Sequence, residues 1–170
     1  MQVWDRIVRS VHWSVAALVL IDLVNEAGAN PWHRYLGYAA GALVLVRLAW
    51  GLGDTGHARL AQMTAAASRA LPYARSLIAG TGGVYVGHNP LGALMAYALW
   101  ALILVVVITG WAQQLDRFWG EEWLQDLHSA TAYVLAACAG IHVCGAIATS
   151  ALYRTNLIKA MITGRKADLE

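Results

Sequence analysis

Charged residues are scarce in this sequence. Aspartate, glutamate, lysine and arginine make up 13% of its 170 residues, whereas an ordinary soluble domain carries about 25%. Hydrophobic residues account for 59% of the chain. So little charge and so much apolar surface disfavour a water-soluble protein and indicate a membrane protein.

Cysteine is nearly absent as well. Cys138 and Cys144 both lie inside one long apolar stretch, where a disulfide framework has no reason to form. No CxxCH motif occurs, so the sequence excludes covalently attached c-type haem. We interpret both cysteines as small apolar packing residues on a membrane helix.

Four apolar stretches are long enough to span a bilayer, which takes roughly 20 helical residues. The predicted spans are Val8–Ala27, Trp32–Gly51, Pro90–Gln113 and Leu127–Leu152. A signal peptide is the alternative for the first stretch, but no small-residue cleavage pattern follows it, and Trp13 and Asp22 interrupt it, so we expect it to be retained. The prediction is an all-α integral membrane four-helix bundle, with residues 1–170 as a single domain.

The distribution of basic residues predicts the orientation. Four spans put both termini and the loop Leu52–Asn89 on one side of the membrane. Ten basic residues fall on that side: Arg6, Arg9, Arg47, Arg59, Arg69, Arg75, Arg154, Lys159, Arg165 and Lys166. Only Arg34 and Arg117 fall on the other, so the positive-inside rule predicts that both termini lie in the cytoplasm.

The opposite, outer side is net acidic. Its connections carry Glu26, Asp116, Glu121, Glu122 and Asp126. Avoidance of translocated positive charge explains this pattern. The functional alternative is a docking surface that attracts a partly basic periplasmic partner and raises its association rate.

The loop 52–89 is expected to lie along the membrane surface. Its composition predicts an interfacial helix over Ala58–Ala70 and a break at Leu71–Pro72. Asn89 and Pro90 then open the third span with a favoured cap residue followed by proline at the first helical position.

Four histidines lie in or at the ends of the spans, where ionisable residues are functional candidates by default. His12 lies near the cytoplasmic start of the first span and His33 at the outer start of the second. His128 and His142 lie fourteen residues apart on the fourth span, a rise of about 21 Å and close to four full turns. Matching the depths gives an inner pair, His12 with His142, and an outer pair, His33 with His128.

Two imidazoles per level favour haem as the metal centre. Zinc or copper sites gather three or four protein ligands, whereas haem needs only two because the porphyrin supplies the others. The residues four positions after each histidine are small, as a flat macrocycle requires: Ala16, Gly37, Ala132 and Ala146. Helix packing through a GxxxG formed by Gly37 and Gly41 is the alternative explanation at one of these positions.

Haem propionates are anions, and arginines lie at both levels. Arg6, Arg9 and Arg47 are candidates for the inner haem and Arg34 for the outer one. For Arg47, snorkelling to lipid headgroups is the alternative. His88, just before the third span, is a candidate contact for a quinone headgroup or a propionate, whereas we interpret His57 as a solvated loop residue.

Several stretches resemble one known family. VWDRIVRSVHW, WHRYLGY with VRLAWG, GHNPLGALM and the tail NLIKAMITGRK are similar to the prokaryotic cytochrome b561 and nickel-iron hydrogenase cytochrome b-subunit family, over nearly the whole chain. That resemblance implies a four-helix bundle with two haems b that exchanges electrons between membrane quinone and a periplasmic redox protein. Its haem ligands fall on His12, His33, His128 and His142. Hydrogenase-type members of the family are generally longer than this chain.

The function that these observations favour is an electron-transfer cytochrome b of an oxidoreductase system. Expected partners are membrane lipid, quinone or quinol, and a periplasmic c-type cytochrome or dehydrogenase. We expect no nucleic-acid partner, while a homodimer stays open. One rival is a self-contained enzyme in which the outer haem reacts with a small species such as superoxide and reduces quinone. The other is a non-redox scaffold or a transporter of metal ions or protons, in which Asp22 would serve as a proton relay. The alternative interpretation of Asp22 is a hydrogen-bonded polar residue near the outer surface.

Overall fold

The computed structural model describes residues 2–25, 31–53, 59–83, 85 and 87–166. Its helices are α1 (Arg6–Val24), α2 (Pro31–Gly53), α3 (Leu60–Ala67), α4 (Ala70–Ile78), α5 (Pro90–Ala112), α6 (Glu122–Leu152) and α7 (Leu157–Thr163), with a 3₁₀ turn at Asp116–Phe118. Among the described residues, four helices are long and apolar enough to cross a membrane, namely α1, α2, α5 and α6. The prediction of an all-α membrane bundle is confirmed.

The ends of the long helices follow from local chemistry. Asp5 caps α1, since its carboxylate accepts a hydrogen bond from the Val8 amide at 2.8 Å. Asn89 caps α5 in the same way through the Gly92 amide, and Pro90 is the first helical residue, as the sequence predicts. The helix α6 begins at Glu122, five residues before the predicted span, because an acidic first turn suits the positive end of the helix dipole.

The loop between α2 and α5 differs from its prediction. Two short helices form there, and the break between them lies at Ser68–Arg69, so the predicted break at Leu71–Pro72 is wrong. Pro72 lies in the first turn of α4, where a missing amide hydrogen leaves no helical bond unmade. The Ser68 hydroxyl instead donates to the Ala65 carbonyl at 3.0 Å, a local bond that competes with helix continuation. Ala58 and His57 lie outside the described residues, as does Glu26.

The bundle consists of two helix pairs that meet along one seam. The helix α1 packs along α2, α5 packs along α6, and α2 contacts α5. At the centre, Ala40 and Val44 of α2 meet Ile103 of α5 and Leu135 of α6, all four buried. In contrast, the backbone of α6 makes little contact with that of α1 or α2. The fold therefore leaves a gap between α6 and the α1–α2 pair.

The two ends of the chain meet at one end of the bundle, which we call the terminal end. The amides of Val3 and Trp4 both donate to the Gly164 carbonyl, at 2.8 and 3.1 Å. Gly164 itself ends α7 with a φ of +80°, a conformation that favours glycine. Met161 of α7 packs against the buried Val3 and Trp4. These contacts fix the N-terminal segment beside the terminal end of α6.

Gly41 sets the approach of α2 to α5. A Cβ atom at this position would lie 3.1 Å from a methyl group of Val107, closer than side chains normally approach. Gly41→Val is therefore expected to destabilise the bundle by about 1–3 kcal/mol through overpacking. Gly140→Val is the matched control, because a Cβ there meets nothing within 4 Å. Thermal unfolding in detergent checks this, and equal midpoints for the two variants would contradict the packing described.

Candidate functional site

The outer pair lies across the gap between α2 and α6. The ring centres of His33 and His128 are 6.0 Å apart, with an angle of 81° between the ring planes. Two imidazoles bound to opposite sides of one metal ion have centres about 6 Å apart, because each metal–nitrogen bond is about 2 Å and the ring centre lies about 1 Å further. The spacing therefore suits a metal ion held between the two rings.

The inner pair repeats this arrangement at the terminal end of the bundle. His12 of α1 and His142 of α6 have ring centres 6.3 Å apart and ring planes 54° apart. The helix α6 thus contributes one histidine to each pair, while the partners come from different helices that start at opposite ends. The structure brings together the same pairs that depth matching predicts, and metal ligation stays a prediction.

Both histidines of the outer pair have hydrogen-bond partners that orient their rings. Nδ1 of His33 lies 2.9 Å from a carboxylate oxygen of Asp22 on α1. Nδ1 of His128 lies 3.0 Å from the hydroxyl of Thr109 on α5. These contacts are the kind of outer contact that usually fixes a metal-binding histidine.

The partners also indicate which ring nitrogen carries hydrogen. A carboxylate accepts hydrogen bonds, so the Nδ1–H of His33 donates to Asp22. The Thr109 hydroxyl lies 2.8 Å from the Val105 carbonyl and 3.0 Å from that of Val106, and neither can donate, so the hydroxyl donates a hydrogen bond to a carbonyl and accepts one from His128. In both rings Nε2 is then left with its lone pair, which is the form that binds a metal ion.

Two glycines keep the outer level open. A Cβ at Gly110 would lie 3.1 Å from Cε1 of His128, so glycine here lets the ring take its position beside α5. At Gly37, one turn after His33, a Cβ would meet nothing within 4 Å. The space beside His33 is therefore open, as a flat group bound by this ring requires.

The site fits haem better than a bare metal ion. Among the described residues, no three histidine, cysteine, aspartate or glutamate side chains gather to hold a metal. Each pair provides two imidazoles across a gap between helices, and Nδ1 of His12 is buried without a hydrogen-bond partner in the described part of the chain. Haem fits two such imidazoles, because its porphyrin provides the other four ligands of the iron.

Arg47 is buried on α2, with 4% of its surface exposed. Its guanidinium carbon is 5.1 Å from the centre of the Trp100 ring, and one of its nitrogens lies 3.4 Å from the sulfur of Met63. Snorkelling would require an exposed head group, so the alternative proposed for Arg47 does not describe this side chain. A Cβ at Gly51 would lie 2.7 Å from the guanidinium, which shows how closely the helix holds it.

His88 lies beside the same group of residues. Its ring centre is 4.6 Å from that of Trp4, and its Nδ1 is buried without a hydrogen-bond partner among the described residues. Burial lowers the pKa of His88 to about 3, and the charges of Arg47 and Lys166 contribute in the same direction. The ring is therefore neutral at physiological pH and able to donate one hydrogen bond and accept another.

The other arginines predicted to bind propionates have protein contacts of their own. Arg9 donates to the carbonyls of Asp5 and Ile162. Arg6 and Arg9 also line an open cavity on α1 together with Trp13. Arg34 donates to the side chain of Gln114 at 2.7 Å, which links the start of α2 to the end of α5. Their roles toward a cofactor stay predictions.

Sequence reasoning missed Thr109, Gly110 and Lys166, and it considered Asp22 only as a proton relay or a hydrogen-bonded polar residue. Thr109 could have been recognised from the sequence, because it is the only serine or threonine in the long apolar run of the third span. Lys166 is buried and donates to the Tyr85 carbonyl at 2.8 Å, although the sequence places it in a polar tail.

One of the comparisons with known proteins identifies a family. The sequence model described as prokaryotic cytochrome b561 matches residues 3–164, which is nearly the whole chain. Searches of curated proteins and of solved structures return no match. A family match of this extent includes all four histidines, Asp22 and Thr109. The chain belongs to the prokaryotic cytochrome b561 family.

Proposed function

We propose that the chain transfers electrons across the bacterial inner membrane through two b-type haems. His33 and His128 would hold the outer one, and His12 and His142 the inner one. The electrons would pass between the quinone pool and a periplasmic redox protein. The observation that supports this most strongly is the spacing of the ring centres, 6.0 and 6.3 Å, at two levels of one continuous helix.

Family membership establishes the general function. The chain is a multi-pass bacterial membrane protein of a cytochrome b family, whose function is haem-based electron transfer across the membrane. Each bound haem would supply an iron that takes up and returns one electron. The number of haems, their ligands and their partners belong to the proposal.

The side chains around each pair have distinct roles in this proposal. The imidazoles would hold the iron, and the open space at Gly37 would leave room for a macrocycle beside His33. Arg6, Arg9 and Arg47 are the proposed cationic partners of the inner propionates, and Arg34 is that of the outer ones. The apolar helices exclude water, which leaves the reduction potentials to burial, ligands and nearby charge.

The ligand assignment predicts that single histidine variants remove single centres. His142→Ala is expected to abolish or convert only the inner low-spin centre, and His33→Ala only the outer one, because each variant removes one of two axial ligands. Redox-titrated visible spectra of purified protein check this. Cys144→Ala, an exposed free cysteine two residues from His142, is the control that keeps both centres.

Two kinds of result would contradict the assignment. If both histidine variants kept two unaltered centres, these residues would not be the ligands. If wild-type protein expressed with sufficient haem showed no Soret band, the non-redox scaffold or transporter would be favoured instead.

A quinone headgroup is proposed to bind at His88. A neutral buried imidazole can donate a hydrogen bond to a quinone carbonyl, and loss of one such bond is worth about 1 kcal/mol. His88→Leu is therefore expected to raise the quinone KM about fivefold with unchanged haem content, whereas His88→Gln keeps a donor and changes KM less. Because the pKa of His88 is about 3, the ratio of KM values should stay constant from about pH 6 to about pH 8.

A propionate contact would give a different result. His88→Leu would then shift the potential of the inner haem and leave the quinone KM unchanged. If neither quantity changed, His88 would have no role in either site.

The acidic outer surface is proposed to dock the periplasmic partner. Asp116, Glu121, Glu122 and Asp126 are all exposed there. Electron exchange with a basic c-type cytochrome should slow as salt rises through about 0.1 M, where the screening length is about 10 Å. Glu121→Gln with Glu122→Gln should slow the exchange and weaken its salt dependence, while Arg59→Gln at the other end is the control.

Stopped-flow mixing measures these rates. Rates that do not depend on salt would contradict electrostatic docking. Steady turnover of superoxide and quinone by the purified chain alone would favour the self-contained enzyme.

A further inference from the structure

We propose that Asp22 is a positioning residue that lowers the reduction potential of the outer haem through His33. The carboxylate would thereby bias an electron shared between the two levels toward the inner pair. This inference rests on the proposed function, because it takes His33 as a haem ligand. It adds a role for a residue that neither the ligand assignment nor the family match provides.

The contact that carries the inference joins two helices. The Asp22 carboxylate of α1 accepts from Nδ1 of His33 on α2 at 2.9 Å, with 18% of the Asp22 side chain and 27% of the His33 side chain exposed. A carboxylate in the last turn of an apolar membrane-spanning helix is costly to bury unless it has a specific partner. The position of Asp22 is explained by its bond to His33.

The bond is unlike those of the other three histidines. His128 is held by a neutral hydroxyl, and Nδ1 of His12 has no hydrogen-bond partner among the described residues. Among those residues His33 is the only histidine that forms an ion-pair contact with a carboxylate. The two levels therefore differ in charge as well as in depth.

Two physical effects act in the same direction. A carboxylate that accepts the Nδ1 hydrogen increases the electron donation from Nε2 to a bound metal. Its negative charge also favours the more positive, oxidised iron in a medium of low dielectric constant. Reduction adds one electron to ferric iron and gives ferrous iron, with no bond made or broken, so both effects disfavour the reduced outer centre.

Charge of the opposite sign lies beside the proposed quinone site. The cations Arg47 and Lys166 both act electrostatically on His88. A cation stabilises negative charge that is added near it. The carboxylate at the outer pair and the cations beside His88 therefore both favour an electron on the His88 side of the protein.

The test is a redox titration of the haem-loaded full chain, with wild type compared with Asp22→Asn. Asparagine keeps the size of the side chain and an accepting oxygen but removes the charge. We expect the reduction equilibrium of one centre to shift about tenfold toward the reduced form, which is about 59 mV for one electron. The centre that shifts should be the one that His33→Ala removes, and the low-spin electron paramagnetic resonance signal of that centre should change as well.

Two further variants make the result specific. Asp22→Glu keeps the carboxylate and should restore most of the wild-type potential. Asp116→Asn removes one charge from the same face of the protein without contacting His33, so its shift should be much smaller. If Asp22→Asn does not load haem, Asp22→Ser provides a second neutral acceptor for the same comparison.

The possible results distinguish a failure of the role proposed for Asp22 from a failure of the proposed function. Two centres whose potentials Asp22→Asn leaves unchanged, or moves equally, would overturn the role of Asp22 alone. A shift from Asp116→Asn as large as that from Asp22→Asn would overturn it too, since the effect would then come from the general field. Wild-type protein without two low-spin centres would overturn both proposals together.

Discussion

The length of α6 between His128 and His142 is the constraint on which the rest of the site depends. Fourteen residues of uninterrupted helix separate two imidazoles by about 21 Å and return them to nearly the same side. Two other helices meet those positions. The start of α1 provides His12 at one end, the start of α2 provides His33 at the other, and α5 packs against both α6 and α2.

The contrast between the two levels follows from their surroundings. At the outer level, every hydrogen-bonding contact needed to orient the rings comes from within the spans, through Asp22 and Thr109. At the inner level the polar groups come from several segments, since Arg47 lies on α2, His88 precedes α5 and Lys166 follows α7. The hydrogen bonds from the Val3 and Trp4 amides to the Gly164 carbonyl bring the two ends of the chain together there. Both levels therefore depend on contacts between helices, and the inner level also involves segments outside the spans.

Much of the fold could be predicted from the sequence, because a helix that crosses the hydrocarbon core needs a long apolar stretch. The lengths of the apolar stretches predicted the four spans, and the depth of each histidine along its span was enough to predict which rings meet. The contacts of Thr109 and Gly110 with His128 could not be predicted, because they depend on how α5 is rotated against α6. The early start of α6 and the position of the break after α3 were missed because local caps and first-turn chemistry, rather than hydropathy, determine them.

The central claim is that each imidazole pair holds one iron. X-ray anomalous scattering at the iron edge, from crystals of the haem-loaded protein, measures this directly. We expect two iron peaks per chain, one between His33 and His128 and one between His12 and His142. A single peak, or iron located away from either pair, would contradict it.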